Sequence, residues 1–157
     1  MSIIVRGIDY INWVIKYVIG ITLGSMAVII AYQVFSRYVL GTSLSWSEEL
    51  LRYLMVWVVF LGAAVALREK SLIGIEMFVE RFPETIHRIL KVFSYIVCMV
   101  FFIFIMYKGI NVLESVSNQR SPAMRISMVW PYAAMPIGAF FMLLNSVAVL
   151  IEMFRKE

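Results

Sequence analysis

Apolar residues fall in four long runs separated by short charged stretches, and each run has the length of a helix that crosses a bilayer. The pattern predicts helices over about 17–40, 48–67, 89–110 and 129–153. From Tyr17 to Ser36 twenty consecutive residues carry no charge, enough at 1.5 Å per residue to span a hydrocarbon core of about 30 Å. The second run is shorter. Its fifteen uncharged residues from Tyr53 to Leu67 make only about 22 Å of helix, so Glu49 and Arg52 are expected at the membrane boundary or slightly inside it. Lys91 and Lys108 bracket the third run, with stems long enough to carry their ammonium groups to the two interfaces. The fourth opens on Trp130-Pro131, an interfacial aromatic and a proline suited to a first helical turn. Pro136 and Gly138 follow, and a kink is expected there. Between the second and third runs, Leu72, Ile75, Phe78, Phe82 and Ile86 alternate with charges and are interrupted at Pro83, which predicts an amphipathic segment lying along the interface.

Composition agrees with this pattern. The chain is 62% hydrophobic and 15% charged, which excludes an ordinary soluble domain and indicates an all-α integral membrane protein in contact with the lipid bilayer. Four spanning helices use most of the 157 residues, so a single domain over 1–157 is expected, with no room for an extramembrane enzyme domain. The first apolar run is full length and ends without a small-residue cleavage pattern, so it reads as a retained helix and not a removed signal. The net charge of +4 comes from basic residues scattered over loops and helix ends. With no basic run, nucleic acid is not an expected partner.

Lysine and arginine also orient the chain. Nine lie in the N-terminal arm, the middle loop and the tail, against five on the other side, Arg37, Arg52, Lys108, Arg120 and Arg125. The positive-inside bias then places both termini in the cytoplasm and the turn between the first two helices outside.

Candidate chemistry is sparse. Cys98 is the only cysteine and His87 the only histidine, so neither a disulfide framework nor a haem held by two histidines can be built. No cofactor or metal site is expected, and the last three apolar runs carry no ionisable residue at mid-depth. The polar feature that stands out is the cluster where the first two helices meet. Glu48 and Glu49 precede Arg52 by four and three residues, a spacing that lets acid and base meet on one helical face while the acids favour the positive helix end. One reading is a helix start capped by Ser45 or Ser47. The other is that Arg37, at the end of the first helix, joins the acids to fix the hairpin and present a polar surface to a partner. The two are compatible. Small residues mark candidate packing faces: Gly20, Gly24, Ala27 and Ala31 on the first helix, Gly62 on the second, and Pro136 with Gly138 on the fourth, with intrachain packing the expected use.

The run Arg37-Tyr38-Val39-Leu40-Gly41-Thr42-Ser43-Leu44-Ser45-Trp46-Ser47-Glu48-Glu49, followed by Arg52, Trp57 and Phe60-Leu61-Gly62-Ala63, resembles the signature of the small membrane subunit, DctQ-like, of tripartite ATP-independent periplasmic (TRAP) transporters. Ser121-Pro122-Ala123, Trp130, Tyr132 and Pro136-Ile137-Gly138 extend the likeness over nearly the whole chain. One departure is Leu72, at a place where the family often has histidine. The resemblance implies a bacterial inner-membrane subunit of a sodium-coupled importer of organic acids, such as C4-dicarboxylates or sialic acid. Its partners would be a large DctM-like subunit that moves substrate by an elevator mechanism and a periplasmic substrate-binding protein. The small subunit would scaffold the first and help dock the second, with Arg37, Trp46, Glu48, Glu49, Arg52 and Trp57 as structural or partner-contact residues. Two rivals compete: a self-sufficient four-helix exporter of the small multidrug type, which needs an ionisable group deep in a helix, and a membrane anchor for a redox complex, which needs more histidine.

Overall fold

The structure is a computed structural model that describes residues 3–42, 44–69 and 84–155. Its helices are α1 (Ile3–Val39), α2 (Ser45–Arg68), α3 (Glu84–Val116), α4 (Val129–Tyr132) and α5 (Ala134–Arg155). No β-strand occurs among the described residues; a single antiparallel bridge joins Arg120 and Ser127. Among the described residues four spans, Val5–Val39, Ser45–Arg68, Ile89–Val116 and Val129–Met153, are long and apolar enough to cross a membrane. The all-α, four-span expectation therefore holds. The amphipathic segment expected between the second and third spans falls at 70–83, outside the described residues.

The two largest boundary differences from the sequence reading have a physical reason. Helix α1 begins at Ile3 and not near residue 17, which makes it about 55 Å long at 1.5 Å per residue. Arg6, Asp9, Asn12 and Lys16 lower the local hydropathy there, yet Val5, Ile8, Asn12 and Ile15 recur at helical spacing and are all buried, so the segment packs as an amphipathic helix. Helix α3 continues to Val116, past the expected end at 110. Its charged residues Lys108 and Glu114 stay exposed while Gly109 and Val116 keep the apolar face covered.

Helix α5 sits between α2 and α3, and α1 lies mainly along α2. Burial follows that arrangement: half of the α4–α5 span is enclosed, a far larger share than in the other three. Ala64 and Leu67 of α2, Tyr95 and Phe102 of α3, and Met142 and Val149 of α5 form the main cluster. A smaller one joins Ile15 of α1 to Leu61 and Val65 of α2. Small residues set the close approaches. A Cβ on Gly138 would come within 2.6 Å of the Phe60 Cβ, and one on Gly109 within 2.9 Å of the Pro136 ring. These two glycines let α5 lie against α2 and against α3. Where a kink was expected at Pro136 and Gly138, the fourth span is divided at Ala133, between α4 and α5.

Two buried asparagines satisfy one another inside the bundle. Asn12 and Asn145 exchange amide hydrogen bonds across α1 and α5 at 2.6 and 2.9 Å. Asn145 also donates to the Ala64 carbonyl of α2 at 2.6 Å, and Asn12 to the Ile8 carbonyl at 2.8 Å. One buried amide pair thus ties three helices together. Each such contact is worth about 1 kcal/mol in a membrane, and its geometry fixes the helix register.

Candidate partner-binding surface

The end of the bundle formed by the α1–α2 turn and the segment 117–128 gathers the charged cluster. Helix α1 stops because Gly41 adopts φ +68°, a left-handed value that glycine takes without steric cost. The amides of Leu40 and Thr42 both donate to the Ser36 carbonyl, and the Ser36 hydroxyl donates to the Thr42 carbonyl at 3.1 Å. Helix α2 then starts at Ser45, preceded by Leu44, whose side chain caps nothing. Neither expected serine cap forms: the Ser47 hydroxyl is buried and donates to the Leu44 carbonyl at 2.7 Å.

The two acids diverge in use. Glu48 is exposed and accepts from the Gln33 amide of α1 at 3.0 Å. Glu49 is only 7% exposed, and its carboxylate is the centre of a latch. One oxygen accepts the backbone N–H groups of Ala123 at 3.0 Å and Met124 at 2.8 Å; the other accepts the Tyr53 hydroxyl at 2.6 Å. The 117–128 segment closes on itself through Ser121 N–H to the Ile126 carbonyl and Met128 N–H to the Gln119 carbonyl, with Arg125 held at φ +56°. The Ser121 hydroxyl is enclosed in this latch, beside the Glu49 carboxylate and the Tyr53 hydroxyl. One turn deeper, the Trp57 indole N–H donates to the Trp130 carbonyl at 3.2 Å, a second link between α2 and the start of the fourth span.

Arg37 and Arg52 do not join this network. Both are exposed, and neither forms an ion pair with a described carboxylate. The ion pairs expected from the spacing of Glu48 and Glu49 to Arg52 are therefore replaced by the Gln33 and main-chain contacts, because two converging N–H donors in a buried turn hold a carboxylate better than a flexible, solvated guanidinium. Trp46 is exposed on the first turn of α2.

The small-residue faces separate in the same way. On α1 from Ile15 onward, only Ile15, Ile19, Thr22, Met26, Ile29, Gln33 and Ser36 are covered, a narrow stripe at helical spacing facing α2. Gly20, Gly24, Ala27 and Ala31 are all exposed; at about 100° per residue they lie on the opposite side of the helix. Among the described residues nothing stands within 4 Å of a Cβ placed on Gly20, Gly24 or Gly62, so packing among the described helices does not use the α1 face. Pro136 and Gly138, by contrast, sit in the seam between α5 and its neighbours.

At the far end of the bundle the sequence concealed a second charged assembly. Arg68 of α2 donates to Asp9 of α1 at 2.7 Å and to Glu152 of α5 at 2.5 Å, and Lys16 pairs with Glu69. These residues and Asn12 surround a cleft of about 380 Å³. Asp9 and Asn12 could have been found from the helical spacing of Val5, Ile8 and Ile15. The joining of Arg68 to Glu152, 84 residues away, leaves no local signature. Among the described residues no group of histidine, cysteine or carboxylate side chains is arranged to hold a metal ion.

Fold and surface together define a polytopic α-helical membrane protein whose described polar groups mostly fasten helices and turns to one another. The description of the DctQ component of tripartite ATP-independent periplasmic transporters matches residues 26–156, and the chain belongs to that family. Members are transporter permease subunits and not enzymes. The chain is 29% identical over 138 residues to the sialic acid TRAP transporter permease protein SiaT of Haemophilus influenzae, covering 88% of this chain and 22% of that protein. It is 22% identical to the sialic acid TRAP transporter small permease protein SiaQ of Vibrio cholerae, covering 85% of this chain and 77% of the relative. A match at 23% identity to the isethionate TRAP transporter permease protein DctMQ of Oleidesulfovibrio alaskensis covers 73% of this chain and 20% of that protein. The chain thus spans about a fifth of the length of two of these relatives and most of the third.

Proposed function

We propose that this chain, as one four-helix domain over 1–157, is the non-transporting small subunit of a sodium-coupled importer of organic acids in a bacterial inner membrane. It scaffolds a large elevator-type subunit and helps to dock a soluble substrate-binding protein. The names of the relatives favour sialic acid or a similar acid as substrate. The observation that carries the scaffold reading is the α1 face of Gly20, Gly24, Ala27 and Ala31, which is suited to close helix packing yet turned away from every other described helix. Two relatives in which the matching part is about a fifth of a longer permease support a large membrane subunit as what packs there. Gly24→Leu is the test. The isolated subunit should keep its stability, because nothing lies near that position and leucine is the better helix former by roughly 1 kcal/mol. Recovery of the large subunit in a tandem purification should fall about tenfold, as the loss of about 1.4 kcal/mol of packing would produce. Full recovery of the complex with leucine there would refute the assignment of this face.

Both termini are placed in the cytoplasm, with the α1–α2 turn outside, on the nine-to-five distribution of basic residues. A cysteine at the exposed Thr42 should react with a membrane-impermeant maleimide in cells whose outer membrane has been permeabilised. Labelling only after the inner membrane is opened would reverse the topology.

A further inference from the structure

Short exported loops are normally depleted of lysine and arginine, because basic residues resist translocation. Here the end of the bundle assigned to the outside carries Arg37, Arg52, Lys108, Arg120 and Arg125 against Glu48, Glu49 and Glu114. The four arginines are all exposed, and none forms an ion pair with a described carboxylate. Glu49, the acid that the spacing pairs with Arg52, is turned inward instead, its oxygens occupied by the Ala123 and Met124 amides and the Tyr53 hydroxyl. Its charge is consequently withdrawn from the surface, and it fastens to α2 the turn that bears Arg120 and Arg125. That turn is internally braced by the Arg125 N–H to Ser121 carbonyl bond at 3.1 Å and holds Arg125 at φ +56°, a left-handed conformation that a non-glycine residue adopts only when its surroundings impose it.

We propose that the arginines of this end form a docking surface for an acidic face of the soluble substrate-binding protein, and that Glu49 is its positioning residue, setting Arg120 and Arg125 relative to Arg37 and Arg52. This rests on the docking reading given above and adds its chemistry and its geometry. A soluble protein is favoured over anionic lipid because a braced turn suits a partner of fixed shape, whereas headgroups adapt to any basic surface. Unpaired arginines also avoid the loss of an internal ion pair on binding, so the surface contributes chiefly to encounter rate and specificity.

The test uses the small and large subunits together in nanodiscs, with the substrate-loaded binding protein of the same system as probe, in lipid with and without phosphatidylglycerol. Wild-type docking should weaken about tenfold or more between about 50 and 500 mM salt, as screening shortens the reach of the charges. Arg120→Glu with Arg125→Glu, both on exposed side chains, should weaken it about tenfold at low salt and flatten the salt dependence. Glu49→Gln separates positioning from charge by the sign of its effect. Removing a negative charge alone would tighten binding to an acidic partner, whereas releasing the turn weakens it, and weakening is the expected result. Tyr53→Phe keeps every charge and loses one bond to Glu49, so it should weaken docking in the same direction by a smaller factor. Tighter docking by Glu49→Gln would overturn its role as a positioning residue. Docking that ignores both salt and the double reversal would overturn the basic surface, and so would a double reversal that alters only the response to phosphatidylglycerol. Absence of docking by the wild-type complex at any salt would instead remove the docking reading itself.

Discussion

Gly138→Val is expected to separate α5 from α2 and lower the stability of the isolated subunit by about 3 kcal/mol, the upper end of the cost of overpacking a core. The reason is geometric. The added Cβ would lie 2.6 Å from the Phe60 Cβ, an atom fixed to the backbone that no rotamer change can move. Valine adds two further methyl groups to the same space, so one helix must shift by a substantial fraction of an ångström along a seam that also holds Ala64, Met142 and Val149. The melting midpoint of the detergent-purified variant should fall by several degrees, and with it the recovery of folded protein. Phe60→Ala should restore only the smaller share due to the ring atoms, which lie 3.2 Å from the added Cβ, because alanine keeps the Cβ that makes the closest contact. An unchanged midpoint for Gly138→Val would mean that α2 and α5 do not approach as described.

Arg68→Ala should be nearly as damaging, for an electrostatic reason. Its side chain is 11% exposed and bridges Asp9 and Glu152, so its removal leaves two carboxylates facing one another at the membrane boundary. Breaking a buried pair costs about 3–5 kcal/mol; because Asp9 and Glu152 retain about a third of their exposure, the expected loss lies near about 3 kcal/mol, within the effect of solvent screening on partly exposed charges. Lys16→Ala breaks a pair in which both side chains are half exposed, and should cost about 0–1 kcal/mol. Parallel thermal melts of the two variants measure the difference. Equal midpoints would show that the bridge from α1 through α2 to α5 contributes nothing to holding the N-terminal half of α1 in place.

The spans themselves were legible because bilayer-crossing helices must be long and apolar, and hydropathy alone finds such runs. What hydropathy hides is a helix that leaves the apolar layer. The first turns of α1 carry charges yet bury Val5, Ile8, Asn12 and Ile15 in a helical stripe, so the element was readable by period and missed by mean hydropathy. The cluster at 37–52 was found by its cost in the membrane, but not its wiring. A carboxylate three residues before an arginine predicts a local pair, and only the fold reveals that the Ala123 amide, 74 residues away, competes successfully for Glu49. The small-residue faces teach a similar lesson. Helical spacing marked Gly20 and Gly24 as a packing surface as clearly as it marked Gly138, yet a sequence of one chain cannot say whether the opposing helix belongs to that chain. Gly138 is filled from within by Phe60, and Gly24 is left bare.

The proposed role of this chain is to support transport without itself moving substrate. Proteoliposomes under an imposed inward sodium gradient test it directly, with uptake of a radiolabelled organic acid such as sialic acid compared across four mixtures: this subunit alone, both membrane subunits, both with the substrate-loaded binding protein, and the last without this subunit. Uptake is predicted only when all three proteins are present, and its loss when this chain alone is omitted. Sodium-driven uptake by the small subunit alone, or full uptake in its absence, would contradict the account.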